Sequence, residues 1–144
     1  MLHSVNFKVS GTPVGKGRPR FTKIGMAYTP KQTKDYEARL KNAAWVAMKK
    51  NKLDICLKRC SVILTAVFPI PKSYTKSKIL HCQTGIIIPP RPDIDNIVKA
   101  ALDACNKIVY DDDKQVWHIA AFKRYTDFDE SPFLEVKVQW DATT

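Results

Sequence analysis

Between Arg91 and Val116 the apolar residues Ile94, Ile97, Val98, Ala101, Leu102 and Cys105 recur at i, i+3, i+4, i+7, i+8 and i+11. That is the stripe of an amphipathic helix, and it excludes a strand, whose side chains alternate every two residues. Pro92 disfavours helical geometry at Arg91 and suits the first helical positions, while Asp93 is a competent N-cap. The helix should therefore open with Asp93 and Asp95, carry Lys99 four residues beyond Asp95 on one face, and exit through Asn106 and Lys107. The chain then reaches Asp111, Asp112 and Asp113.

From Asp93 to Asp113 there are six carboxylates against Lys99 and Lys107, a local charge of −4. Like charges held this close repel, so either their pKa values rise or a cation sits among them. Magnesium takes carboxylate oxygens, water and substrate phosphate, and needs no His or Cys. The segment is thus a candidate metal site made by Asp93 and Asp95 with one carboxylate of the Asp111–Asp113 run. A structural reading stands beside it: Asp favours a helix N-terminus, and three successive Asp residues suit a solvated turn.

The formal charge of +10 is unevenly placed. Residues 1–60 hold 14 Lys and Arg against 3 Asp and Glu, whereas residues 61–144 hold 10 against 11. A basic half joined to an acidic pocket suits a protein that grips a polyanion by its phosphates and cuts it with a bound cation. Gly15-Lys16-Gly17-Arg18-Pro19-Arg20-Phe21 is the sharpest basic stretch. Its glycines allow close backbone approach, and its arginines offer planar forks to phosphate oxygens, so Lys16, Arg18 and Arg20 are candidates for nucleic-acid backbone contact, with a merely structural loop as the other reading. It lacks the first glycine and terminal Lys-Ser/Thr of a P-loop. Arg91, just ahead of the acidic helix, joins the DNA-binding set. Lys72, Lys76 and Lys78 fall in a long connection over residues 72–90, and Lys123 and Arg124 close a strand.

Alternating or β-branched runs at Leu2–Val9, Cys60–Phe68, Val116–Tyr125 and Phe133–Trp140 predict about four strands. A second helix is expected from about Thr33 to Lys50, with Thr33 near its cap. The expectation is one α+β domain over residues 1–144, with a mixed or antiparallel sheet and two main helices packed on it. Cys56, Cys60, Cys82 and Cys105 lack zinc-ribbon spacing and read as four unrelated thiols. His118 is a lone strand histidine without a catalytic partner motif. No apolar run approaches the roughly 20 residues needed to span a bilayer, and the N-terminus lacks a signal-peptide core. An intracellular, cytoplasmic protein without membrane contact is expected.

The run Arg91-Pro-Asp-Ile-Asp-Asn-Ile-Val-Lys-Ala-Ala-Leu-Asp-Ala104, followed by Asp112-Asp-Lys-Gln-Val116, resembles the signature of the RusA-type Holliday junction resolvases, small endodeoxyribonucleases of prophages and bacteria. The Gly15–Arg20 segment and the Tyr28-Thr-Pro with Tyr36-Glu37 pattern are similar to the phage and Gram-positive members. The resemblance implies a homodimer acting on branched DNA in recombination and repair, resolving a four-way junction by paired hydrolytic nicks. It implies magnesium, with manganese as an alternative, held by Asp93, Asp95 and Asp113, with Asp112 the near neighbour that could replace Asp113. It also implies that Lys99 holds the scissile phosphate or orients the water. A non-catalytic DNA-binding module on the same fold, and a nucleotide-diphosphate transferase using the two leading aspartates, remain open.

Overall fold

The computed structural model describes residues 1–17, 20–28 and 30–142, with the backbone alone at Arg20. Its four-stranded sheet has the order β1-β6-β4-β5, formed by β1 (Leu2–Ser10), β4 (Cys60–Phe68), β5 (Val116–Tyr125) and β6 (Phe133–Asp141). A small hairpin pairs β2 (Arg20–Phe21) with β3 (Ala27–Tyr28). The main helices are α1 (Lys31–Lys50) and α3 (Ile94–Cys105). The architecture is the α+β single domain that the sequence predicts.

Alternation explains why the sheet has one apolar face. Val5, Phe7 and Val9 of β1 are buried, as are Leu134, Val136, Val138 and Trp140 of β6. Antiparallel register sets Phe7 and Leu64 on either side of Val136, and Val5 and Val62 on either side of Val138. The opposite parity (Ser4, Asn6, Lys8, Glu135, Lys137, Gln139) is polar, so a one-residue slip would turn the core outward. β4 joins β5 in parallel, which makes the sheet mixed. Tyr36, Leu40, Ala44, Ala47 and Met48 of α1 close the core from above.

The face α3 buries is rotated from the predicted stripe. Ile97, Ala100, Ala101, Ala104 and Cys105 are buried and Val98 and Leu102 partly so, but Ile94 is 40% exposed. The three alanines let α3 lie close to its neighbours, a small-residue contact that hydrophobicity counting undervalues. Three further expectations are corrected. Helix α1 begins two residues before Thr33, which is buried in its first turn and caps nothing. The connection over 72–90 contains a helix, α2 (Lys76–Gln83), whose N-cap Thr75 accepts from the Lys78 N–H at 3.2 Å. The four cysteines are free and buried, but Cys56, Cys60 and Cys105 are neighbours. Burial pushes the Cys60 and Cys105 thiols up to about 12, which keeps them inert.

The turn from β5 to β6 is tied by Arg124, whose two terminal nitrogens lie 2.6 and 2.9 Å from the Glu130 carboxylate. That bidentate bond, helped by the Asp127 N–H, holds Glu130 down at about 2 against an ordinary 4.5. A depressed folded pKa contributes stability above the unfolded value and loses it as pH falls through the folded one. The stability difference between the wild type and Glu130→Gln should therefore be complete at pH 6, shrink between about 4.5 and 2, and vanish below. Urea denaturation across that range checks it.

Candidate active site

Asp93 is the N-cap residue of α3, with extended backbone (φ −61°, ψ 148°), yet its carboxylate makes no capping hydrogen bond. Asp95 lies in the first turn, where one oxygen accepts from the neighbouring Asn96 N–H at 3.0 Å. Both side chains are exposed, and among the described residues neither forms an ion pair. Lys99 is exposed one turn on, and its i, i+4 spacing from Asp95 produces no salt bridge. Two carboxylates thus stand beside a helix N-terminus without being consumed by the fold.

Two elements approach this entrance. Lys123 of β5 donates to the Pro92 carbonyl at 3.2 Å, directly ahead of Asp93. From the other side the Gly15–Lys16 loop docks on the helix, the Lys16 N–H donating to the Asn96 carbonyl at 2.9 Å. A Cβ at Gly15 would lie 2.8 Å from the Pro92 Cβ and 3.2 Å from the Asn96 Cβ. Glycine is required there for close approach, not for an unusual φ. Gly15→Ala should lift the loop, cost about 1–3 kcal/mol and lower Tm by roughly 3–10 °C, read by thermal denaturation.

Lys16 is less available than the sequence suggests. Its ammonium sits between the carboxylates of Glu37 on α1 and Asp103 on α3, the latter at 3.3 Å. Burial pulls its pKa down, but the hydrogen bonds to Glu37 and Asp103 outweigh that and raise it. Lys16 ties the basic loop to both helices. Arg18 lies outside the described residues, and only the backbone of Arg20, in β2, is described. Arg91 is exposed beside Pro92.

The second acidic run divides into three environments. Asp111 is paired with Lys107 at 2.7 Å on the surface. Asp112 caps the 3-10 turn Asp113–Gln115, accepting from the Lys114 N–H at 2.9 Å while its own N–H donates to Gln115 Oε1 at 2.9 Å. Gln115 Nε2 then donates to the Cys56 and Lys58 carbonyls at 2.9 and 2.7 Å, so one side chain pins the turn to the segment before β4. Asp113 is left half-buried, its pKa raised by burial and then by the carboxylates of Asp112 and Asp103. The Asn106 side chain partly offsets this.

Asp113 therefore belongs to the C-terminal end of α3, with Asp103 and Asn106. The eight residues from Asp95 to Asp103 span about 12 Å of helix. Among the described residues, no three His, Cys, Asp or Glu side chains gather closely enough to hold a metal ion. One chain offers the Asp93–Asp95 pair at one end of α3 and Asp113 at the other. Magnesium needs only one or two protein carboxylates when substrate phosphate and water fill the remaining positions, so the pair fits it by donor chemistry. The three-carboxylate set does not gather within one chain. Glu37 and Gln115 stand in the motifs of the resemblance but carry no role that the sequence could assign, because each acts on a residue remote in the chain. His118 is exposed on β5.

The acidic entrance of α3 thus lies beside the docked Gly15–Lys16 loop on an α+β frame. The pattern of the family Endodeoxyribonuclease RusA matches residues 10–139, and the chain belongs to that family. It is also 32% identical over 145 residues to the uncharacterized protein YqaN of Bacillus subtilis (strain 168), covering 96% of this chain and 97% of that protein. No helix of the described residues is long and apolar enough to cross a membrane.

Proposed function

We propose that the protein is a magnesium-dependent endodeoxyribonuclease that resolves four-way DNA junctions by hydrolysing phosphodiesters, in recombination and repair, as a homodimer. The observation that carries this reading is the exposed Asp93–Asp95 carboxylate pair, without an ion pair among the described residues, at the entrance of α3 in a chain of this family. Asp93 and Asp95 would hold the ion, which when bound supplies Lewis-acid stabilisation of the phosphate and a more acidic water. Manganese satisfies the same oxygen donors. The exposed N-terminus of α3 adds positive potential where a phosphate oxygen would approach. Lys99, exposed one turn further, would hold that phosphate.

We assign Asp113, rather than Asp112, as the remaining acidic group, because Asp112 is occupied as a cap. Asp113 stands apart from the pair within one chain, so in a homodimer it would serve the entrance of the second copy. Arg18, Arg20 and Arg91 would contact the DNA backbone, while Lys16 anchors the chain just ahead of the first two to both helices. An intracellular location suits this role.

The test is incubation of the purified protein with a four-way junction and with linear duplex, with and without Mg²⁺. Symmetric nicking of the junction only with the metal supports the reading. Tight junction binding without cleavage in Mg²⁺ or Mn²⁺ would make the protein a DNA-binding module on a nuclease frame.

A further inference from the structure

The sheet has two edges, and they are built differently. Edge strand β1 alternates Ser4, Asn6 and Lys8 with its core residues, the polar and lysine-bearing pattern that discourages pairing with another chain. Edge strand β5 runs ten residues and, among the described residues, pairs only with β4. Its middle, Ile119-Ala-Ala-Phe122, has no charge. Trp117 is 63%, Phe122 59% and Ile119 39% exposed, and Ile94 of α3 is also exposed. Phe122 is in register with Thr65 and Ile119 with Val62, so apolar side chains flank the edge on both faces of the sheet. A long, apolar, unpaired strand is a liability unless something covers it.

The charges at its two ends indicate what does. In the run leading into β5, Asp113 forms no ion pair among the described residues, and Lys107 is taken by Asp111. At the other end Arg124 is taken by Glu130, while Lys123, among the described residues, meets a carbonyl and no carboxylate. A second β5 laid antiparallel sets each acidic start toward the other's basic end; a parallel one sets like against like. Ala120 and Ala121 at the middle leave room for close approach at a two-fold axis.

We propose that the β5 edges of two copies pair antiparallel about a two-fold axis near Ala120 and Ala121, joining two four-stranded sheets into one of eight strands. This rests on the homodimer of the preceding reading and identifies its interface. Antiparallel pairing sets the Asp113 end of each β5 toward the α3 entrance of the other copy, where Lys123 meets the Pro92 carbonyl.

Ala120→Cys and Ala121→Cys test the pairing. Opposed residues of an antiparallel pair have Cα atoms about 4.5–5.5 Å apart, within disulfide reach. The native thiols are all buried and leave little background. Mild oxidation should crosslink at least one variant into a dimer, whereas Trp45→Cys, exposed on α1, should not crosslink. In sedimentation equilibrium at about 10 µM the wild type should show twice the 16.4 kDa chain mass. Ile119→Glu and Phe122→Glu should weaken the dimer at least tenfold with unchanged circular dichroism.

A monomeric wild type, or a dimer that neither crosslinks nor responds to these charges, overturns the interface. Loss of junction binding by Phe122→Glu in an intact dimer would assign the patch to DNA and overturn it equally. Asp95→Asn separates this from the nuclease reading: it should remain dimeric while losing cleavage. Cleavage by an intact Asp95→Asn dimer would sink the catalytic assignment and leave the interface standing.

Discussion

Asp95→Asn should bind a four-way junction as the wild type does and cleave it at least ~100-fold more slowly, because a ligand to a Lewis-acid ion supports several kcal/mol of transition-state charge stabilisation. The substitution keeps shape and removes one negative charge. The helix loses only a favourable charge near its N-terminus, about 0.3–1 kcal/mol. Among the described residues Asp95 has no ion pair to break, and its local hydrogen bond from the Asn96 N–H is one that an amide oxygen can also accept. A defect in cleavage with retained fold and binding is therefore diagnostic. Asp111→Asn is the matched control, since that carboxylate is engaged with Lys107 on the surface and should leave cleavage within about twofold. Gel-shift and single-turnover cleavage on one junction substrate measure both. Equal losses in the two variants would sink the assignment of the entrance pair.

Gln115→Ala should lower both stability and activity although Gln115 touches no substrate. Its amide donates to two carbonyls and accepts from the Asp112 N–H, so it joins the 3-10 turn to the strand-leading segment at Cys56 and Lys58. Three hydrogen bonds at about 0.5–1.5 kcal/mol each give a loss near 2–4 kcal/mol. For a chain of this size that lowers Tm by roughly 6–12 °C. With the turn released, Asp113 loses its fixed position, so kcat should fall at temperatures where the fold remains intact. Gln115→Glu keeps the shape but not the donors, since a carboxylate cannot donate to either carbonyl. It should resemble Ala in stability, and rescue by Glu would argue against the pinning role.

The parts of the fold that follow local rules were legible in the chain. Strands β1 and β6 alternate cleanly, β4 is β-branched throughout, and the α3 pattern repeats over three turns. Helix α2 was missed because Lys76-Ser-Lys78 reads as a basic connection, and its helicity comes from Thr75 and the burial of Cys82 rather than from a periodic stripe. The α3 face was misplaced by one row because alanine contacts depend on what lies opposite. At the site, Asp93 and Asp95 were legible because helix entrances are local features. The position of Asp113 was not, because it depends on α3 and β5 running in opposite directions, which only the assembled sheet defines. The ion pairs of Lys16, which the sequence assigns to DNA backbone contact, were hidden for the same reason: Glu37 and Asp103 reach it from two other elements.

Three consecutive identical aspartates carry three unlike duties: one neutralises a lysine, one closes a turn, one is left ionisable in a crowded corner. The backbone works here as a ruler whose graduations are single residues. Inserting or deleting one residue ahead of Gln115 would preserve the composition and most of the charge, yet hand the corner to a carboxylate with the wrong bearing. Descendants of this sequence should consequently tolerate chemical drift at Asp111 far more readily than any change of spacing between Asp112 and Gln115.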